Sequence, residues 1–331
     1  MKKKIFLSFV ILGMFLFTGC FGKDSKDIVS TLTKKIEKAS TYHAEGLLEI
    51  NNNENTYKYD VDVSYAEDEN FRVSLKNKTN DHEQIILKNS EGVFVLTPSL
   101  NKSFKFQSEW PYNNSQSYLL QTLLEDIKND EEKTVEEKDG IYIITTKVNY
   151  SNNKNLVNQK IYVNKKGIVE KVEVLNKDGI VKMKMTYNNI DFKAKFDKNY
   201  FDLTKNMNLN DKTSTTIQSI DDIVYPMYMP ENTYLESQET IKLDSGERVI
   251  LTFAGDSPFM LVEETAEVSE EMTTVPVYGE LELLTDTIGS ISDNTATWIS
   301  DGIEYYAVSE TLAQDELLEI VNSISVIPVG K

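Results

Sequence analysis

A hairpin that leads into a helix constrains the fold more than any other part of this sequence. In residues 91–111, EGVFVLTPSLNKSFKFQSEWP, an apolar run over 93–96 precedes a Pro98-Ser99 turn signal, and apolar and polar residues then alternate. This pattern predicts a β-hairpin. After Pro111 the apolar spacing becomes helical, over residues 115–127. A hairpin feeding a helix that packs on a sheet indicates a curved sheet closed by helices.

Alternating apolar and polar residues predict further strands on both sides of this unit. Such alternation is typical of antiparallel sheets with one solvated face. The predicted strands cover residues 43–50, 57–65, 71–75, 85–87, 141–148, 159–164, 169–175 and 181–187, with a charged loop over 128–139. Hairpin turns are predicted at 164–167 and 176–179, where Asn is followed by Gly three positions later. A helix is predicted from Asp24 or Ser25 to Ala39.

The first 20 residues indicate export and lipid attachment. Three lysines, an apolar stretch over 5–17 and Thr18-Gly19 precede Cys20, the only cysteine of the chain. Residues 1–19 therefore read as a secretory signal peptide. The sequence FTGC resembles a bacterial lipobox, with Phe17 where Leu is usual. That resemblance implies acylation of Cys20, for example by palmitate, and a mature protein anchored on the extracytoplasmic face of the cell membrane by two or three acyl chains.

Charge divides the chain near residue 210. Residues 20–210 carry 28 basic and 29 acidic side chains, whereas residues 211–331 carry 4 basic and 24 acidic ones. Such a break indicates two domains, which we place at 20–209 and 224–331 with a linker over 210–223. The acidic domain should face away from anionic lipids or meet a basic partner, unless its charge serves solubility alone. Binding of nucleic acid, which requires a basic patch, is not expected.

The acidic domain mixes strand and helix patterns. Strands are predicted over 246–253, 259–264, 297–300 and 303–308, and a short helix over 314–322. The sequences MPENTY, ILTFAGDSPFMLVEE and ATWISDGIEYYAVSETLAQDELLEIVNSI are similar to a DUF4367-like domain of Firmicute envelope proteins and anti-sigma factors. That similarity implies protein interaction.

The order of elements in the first domain carries a more specific resemblance. The strand EGVFVLTP with its hairpin, the helix SQSYLLQTLLEDI and the closing FDKNYFDL resemble the LolA/LolB lipoprotein-carrier superfamily, and within it the YdcC and GerS-type sporulation lipoproteins. The implied fold is α+β, an unclosed antiparallel β-barrel (LolA-like) with helices across its mouth. The implied role lies in spore formation and germination, where the GerS type supports an amidase that modifies the spore cortex.

No residue pattern predicts catalysis. The two histidines, His43 and His82, lie far apart in sequence, and no free cysteine is present to complete a zinc site. GxSxG, P-loop and GxGxxG motifs are absent. Adjacent carboxylates such as Glu131-Glu132 do not provide the separated pair that glycosidases need. We therefore predict a protein that is not an enzyme, with no catalytic, metal-binding or cofactor-binding residues.

Aromatic strand residues are the remaining candidates for a site. They could line an apolar cavity for an acyl chain, as the superfamily resemblance implies, or the helix over 115–127 could fill that space. We favour the filled interior. The seven residues are Tyr57, Tyr59, Tyr65, Phe71, Phe94, Phe104 and Phe106.

These observations lead to one main hypothesis and three alternatives. The main hypothesis is a lipid-anchored, non-catalytic protein that binds and positions or activates a cell-wall enzyme, such as a cortex amidase. The first alternative is a carrier or chaperone of lipids or lipoproteins. The second is an RseB-like envelope-stress sensor that regulates an anti-sigma factor. The third is a hydrolase, which would require a pre-organised polar cluster in a cleft.

Overall fold

The computed structural model describes residues 23–52, 55–207, 219–220, 222–268 and 271–324, with side chains from residue 27 onward. The predicted signal peptide and Cys20 lie outside the described residues, as does most of the predicted linker. No helix in the described part of the chain is both long and apolar enough to span a membrane.

The first half of the chain alternates long strands with three helices. Its elements are α1 (Lys23–Glu37), β1 (Thr41–Asn52), β2 (Asn55–Ala66), β3 (Asn70–Asn77), β4 (Glu83–Asn89), β5 (Gly92–Thr97), a 3₁₀ turn (Pro98–Leu100), β6 (Lys102–Phe106), α2 (Leu120–Asn129), β7 (Thr134–Lys138), β8 (Ile141–Lys147), β9 (Leu156–Asn164), β10 (Val169–Asn176), β11 (Val181–Asp191) and α3 (Leu203–Met207). The predicted opening hairpin is β5 and β6.

The remaining elements are mostly short strands. They are β12 (Thr233–Leu243), β13 (Gly246–Gly255), β14 (Phe259–Thr265), β15 (Thr273–Val277), β16 (Glu280–Leu283), β17 (Ile288–Ile291), β18 (Thr295–Ser300), β19 (Ile303–Val308) and α4 (Gln314–Ser323). The predicted strands over 246–253, 259–264, 297–300 and 303–308 and the terminal helix are thereby confirmed.

The first sheet has twelve strands and is not closed. Its order is β15-β6-β5-β4-β3-β2-β1-β11-β10-β9-β8-β7, so that β15 and β7 form its two edges. All pairings are antiparallel except β15 with β6. One face packs on α1 and α2 around a large apolar core. The fold class is α+β, an unclosed antiparallel sheet with helices across it, as predicted.

Alternation in sequence explains which side of this sheet is buried. In β2, Tyr59, Val61 and Val63 are buried in the core with the helices, whereas Asp60 and Asp62 between them are not buried. Because successive side chains of a strand point to opposite faces, this order of residues allows only one face to pack on the helices.

Helix α2 begins at Leu120, later than the predicted start at residue 115. The backbone N–H of Gln116 donates to the Thr122 hydroxyl over 3.2 Å, and that hydroxyl donates to the Gln116 carbonyl over 2.8 Å. The Ser115 hydroxyl donates to Asp126 over 2.9 Å. Residues 115–119 therefore fold back on polar side chains of the helix instead of extending it.

The charged segment over 128–139, predicted as a loop, contains β7. This strand pairs with β8 at the edge of the sheet, and its side chains are mainly exposed. The prediction was wrong here because a strand without a buried face has no apolar alternation.

The second sheet has seven strands in the order β12-β13-β14-β19-β18-β17-β16. Helix α4 buries Leu317, Leu318 and Val321 against one face of it. Ile220 and Ile223, from the described part of the predicted linker, pack on the same core. The exact division into domains stays a prediction.

Candidate functional site

Six of the seven candidate aromatic residues belong to the core of the first sheet or pack against it. Tyr59, Phe71 and Phe106 are buried there. Tyr57, Tyr65 and Phe104 are half-buried and pack against the same cluster. The rings of Tyr65 and Phe71 lie 5.0 Å apart, so these two side chains contact each other rather than a void.

Two of the seven residues contact other clusters. Phe94 is buried on the opposite face of the sheet, in a small cluster with Ile85, Leu87 and Met207. Phe104 is half-buried and also packs on a separate cluster, which includes Leu100 and residues of the second half of the chain. The structure therefore does not bring the seven predicted residues together around one cavity.

Large side chains occupy the concave side of the first sheet. Trp110 and Tyr118, just before α2, are almost completely inaccessible, as are Leu120 and Leu123 within it. A cavity of about 10 Å³ lies beside Tyr118, between it and Glu282 of the second sheet. That volume suits about one water molecule and is far too small for an acyl chain.

The loop between β16 and β17 is fastened to the first sheet by hydrogen bonds. The side-chain carbonyl of Gln84 accepts from the Thr287 hydroxyl over 2.8 Å and from the Ile288 N–H over 2.7 Å. The Tyr59 hydroxyl donates to the Thr285 carbonyl over 3.1 Å. All of these groups are buried, so the two sheets share a polar seam that is shielded from solvent.

Two carboxylates of β16 extend this seam. Glu280 accepts from the Ser108 hydroxyl over 2.7 Å and from the Asn113 amide. Glu282 is buried and accepts from the Asn152 amide over 2.9 Å. Burial raises the pKa of Glu282 to about 7, since the carboxylate loses its hydration, and the bond from Asn152 offsets part of that effect.

Strand β15 continues the seam along the edge of the first sheet. It pairs in parallel with β6, and the hydroxyls of Ser103 and Thr274 lie 2.7 Å apart. Lys102 of β6 also forms an ion pair with Glu304 of β19. The second half of the chain thus supplies an edge strand to the first sheet.

A cleft of about 590 Å³ opens beside this seam. One wall consists of the adjoining ends of β1 and β2 and of the β8–β9 and β10–β11 connections. The other consists of Met227, Tyr228, the end of β16 with the residues after it, and α4. Asparagine supplies much of its polar lining: Asn51, Asn52, Asn55, Asn152, Asn153, Asn155, Asn176 and Asn322. None of the seven predicted aromatic residues lines this cleft.

The two walls of the cleft carry opposite charges. Lys154 and Lys177 are exposed on the wall from the first sheet, and Asp315 and Glu319 are exposed on the wall from α4. The Asn52 amide reaches across to the backbone carbonyl of Asn322, 2.9 Å away. The cleft can therefore present cationic, anionic and amide groups to a polar segment of a partner.

One group of side chains in the described chain has the composition of a metal site. His43, Glu45 and Asp62 bring ligand atoms within 4.8 Å of one another. Asp62, however, already contacts His43 Nε2 at 2.7 Å and the Arg72 guanidinium at 3.4 Å. A guanidinium beside the carboxylate repels a metal cation, so the group fits an ion-pair network better than a metal centre.

Comparison with known proteins identifies the family. The family described as sporulation protein YdcC-like matches residues 1–201. Sporulation protein YdcC of Bacillus subtilis (strain 168) is 35% identical over 97% of this chain and 98% of that protein. The chain belongs to the YdcC-like sporulation protein family. The family match covers almost all of the first sheet, and the similarity to YdcC extends through the second sheet as well.

Solved structures resemble this YdcC-like chain only distantly. MucB in the Pseudomonas aeruginosa MucA/MucB complex is 11% identical, with a TM-score of 0.35 over 90% of this chain and 97% of that one. One chain in the structure of the CwlD amidase from Clostridioides difficile in complex with the GerS lipoprotein is 19% identical, with a TM-score of 0.30 over 52% of this chain and 95% of that one. A putative outer membrane lipoprotein-sorting protein domain from Vibrio parahaemolyticus is 12% identical, with a TM-score of 0.34 over 55% of this chain and 97% of that one.

The seam and the cleft of this YdcC-like protein were not predicted from sequence. Gln84 and Thr287, or Asn152 and Glu282, are separated by more than a hundred positions, and none of them belongs to a motif. The one available signal was a glutamate at an inward position of a short strand, which breaks the apolar pattern expected of a core.

Proposed function

We propose that this YdcC-like protein is a non-catalytic, lipid-anchored protein of spore formation that binds a cell-wall enzyme and positions or activates it. Its membership in a family named for sporulation supports the biological setting. The enzyme would be one that modifies the spore cortex, such as an amidase, as the sequence resemblance implies.

The filled interior of the first sheet is the observation that carries this proposal. A carrier of acyl chains needs an apolar cavity of several hundred Å³. Here Trp110, Tyr118 and α2 occupy that space, and the cavity beside Tyr118 has a volume of only about 10 Å³. The larger cleft of about 590 Å³ is lined mainly by asparagine and charged side chains on its polar part, which favours a polar macromolecular partner over an acyl chain.

The cleft between the sheets is the surface that we assign to this partner. Lys154 and Lys177 form no ion pair with any residue that the structure describes, and neither does Glu319. Unpaired charges of both signs on facing walls provide specificity at a modest desolvation cost, because they lie at a solvated rim.

We further propose that acylated Cys20 anchors the protein. Helix α1 begins at Lys23, three residues beyond that cysteine. The first sheet would then lie close to the membrane, and the partner would be held near the membrane surface.

Affinity capture of the full chain tests the function. A C-terminally tagged protein would be extracted with mild detergent from sporulating cells, and the eluate analysed for proteins and lipids by mass spectrometry. We expect a cell-wall enzyme in stoichiometric amount. The double variant Lys154→Glu/Lys177→Glu should capture about a tenth of the enzyme that the wild-type protein captures, since changed rim charges weaken association.

Lys138→Glu is the matched control. This exposed lysine of β7 pairs with Ile141 at the start of β8, whereas the cleft lies beyond the other end of β8. The control variant should retain the partner. Recovery of an acyl lipid without a protein would overturn the proposal in favour of a carrier, and recovery of an anti-sigma factor would favour the sensor.

A further inference from the structure

Strand β12 is an unusually exposed edge. It pairs with β13 on one side, and no described strand pairs with its other side. Nine consecutive residues of its eleven are exposed, so neither face of the strand is covered along that stretch. Its outer row of backbone N–H and C=O groups is therefore available to another strand.

Large apolar side chains occur at both ends of this strand. Tyr234 and Leu235 are 59% and 40% exposed near its start, and Ile241 is 39% exposed near its end. Exposed apolar residues on a free edge favour pairing with a further strand, because pairing covers the side chains and satisfies the backbone together.

We propose that two copies of this chain pair antiparallel through β12, about a twofold axis at Gln238. Gln238 is the central residue of the strand, so this register uses its full length. It places Leu235 opposite Ile241 of the other copy, and Tyr234 opposite Lys242. The apolar pair of Leu235 with Ile241 and the cation–aromatic pair of Tyr234 with Lys242 each join the two copies twice, once on each side of the axis.

Charge disfavours the neighbouring register that has its axis at Glu239. About Gln238, Glu236 faces Thr240 and Glu239 faces Ser237, so no like charges are opposed. An axis at Glu239 would set that carboxylate directly opposite itself, which is destabilising. The strand is thus complementary to a second copy of itself, which is the requirement for a twofold interface.

The pairing of this strand with β13 is irregular near its start. A bulge between Leu235 and Ser237 shifts the register with β13. Bulges and charged residues on an edge limit pairing with arbitrary strands, and a specific partner has to match them. At the axis, the side-chain carbonyl of Gln238 accepts the Tyr225 hydroxyl over 2.5 Å, which fixes the orientation of the central residue.

Paired in this way, two seven-stranded sheets become one continuous sheet. Strand β12 is at the opposite edge of the sheet from β16, which carries part of the seam, and no residue of β12 lines the cleft. The inference therefore does not depend on the proposed function.

A charge exchange across the interface tests both the dimer and its register. The full chain would be purified in detergent, and its protein mass measured by light scattering over a hundredfold range of concentration. Wild type should pass from monomer to dimer. Leu235→Lys/Ile241→Lys should remain monomeric throughout, because two lysines oppose each other at two places.

Leu235→Lys/Ile241→Glu should restore the dimer, because each lysine now faces a glutamate of the other copy. Equal dimerisation of the two double variants, or a wild type that stays monomeric, would overturn the proposal. Both variants change exposed side chains, and circular dichroism would verify that they fold.

Cross-linking in membranes gives an independent measurement. Gln238→Cys should be joined to a second copy by a short bismaleimide, since only the axial residue meets itself. Tyr278→Cys is the control, because Tyr278 is 74% exposed and lies outside β12. A Gln238→Cys chain that forms no more dimer than this control would contradict the register.

Discussion

The side-chain amide of Asn152 donates a 2.9 Å hydrogen bond to the buried carboxylate of Glu282. This contact joins the loop after β8 to β16 and forms the floor of the cleft, where both residues are part of the lining. One hydrogen bond does not replace the hydration of a carboxylate, so the seam is least stable when Glu282 is ionised.

The first prediction is a pH dependence of stability at Glu282. Burial raises its pKa from 4.5 to about 7, so the folded protein binds a proton more tightly than the unfolded chain. The stability that this tighter proton binding gives the folded protein is fully present below pH 4.5, and it is lost as pH rises through 7. Glu282→Gln should therefore raise the free energy of unfolding by up to about 3 kcal/mol at pH 8 and change it little at pH 4.

Urea denaturation at both pH values measures this difference. Glu310→Gln, on an exposed side chain, is the control and should have no effect at either pH. A Glu282→Gln variant that is equally stabilised at pH 4 and pH 8 would show that proton binding is not the cause.

The second prediction concerns Gln84, which accepts from two buried donors of the β16–β17 loop. Gln84→Ala leaves the Ile288 N–H without an acceptor. It also removes one of the two acceptors of the Thr287 hydroxyl, whose other acceptor is the Ile299 carbonyl. We expect a loss of about 2 to 4 kcal/mol in the free energy of unfolding. Gln107→Ala, at an exposed position, should cost less than about 0.5 kcal/mol. Similar midpoints in urea for the two variants would refute the importance of the seam.

Sequence patterns predicted much of the first sheet because several of its strands have one buried and one more solvated face. In β2, for example, Val61 and Val63 alternate with Asp60 and Asp62, and the pattern defines both the strand and its inward side. The predicted turn over 164–167 is confirmed, since the Gly167 N–H donates to the Asn164 carbonyl over 2.9 Å. Gly167 has a φ of +69°, which favours glycine.

The missed elements lack such a local signal. Strand β12 is exposed on both faces and β15 contains Pro276, so neither shows apolar alternation. The pairing of β15 with β6 joins residues about 170 positions apart, as in the contact between Ser103 and Thr274. Contacts over such distances depend on how the two sheets pack, which single-sequence periodicity does not encode.

The third prediction follows from the close approach of β1 and β11 at Gly46. A Cβ added there would lie 2.2 Å from the Thr186 carbonyl oxygen and 2.5 Å from the Met185 methyl. The register between the strands shifts at this position, between Glu45 and Gly46. Gly46→Ala should lower the free energy of unfolding by about 1 to 3 kcal/mol, because the backbones must separate. A thermal midpoint equal to that of wild type would contradict this assignment.

The fourth prediction tests the filled interior directly. Leu123 of α2 is fully buried under the first sheet, and Leu123→Ala should lower the free energy of unfolding by about 2 to 5 kcal/mol through lost contacts and a new cavity. Glu125→Ala, on the exposed face of the same helix, should change it by less than about 0.5 kcal/mol. If Leu123→Ala cost no more than this control in urea denaturation, α2 would not be packed as described. The concave side of the sheet would then be open to a ligand, and the carrier hypothesis would regain its main requirement.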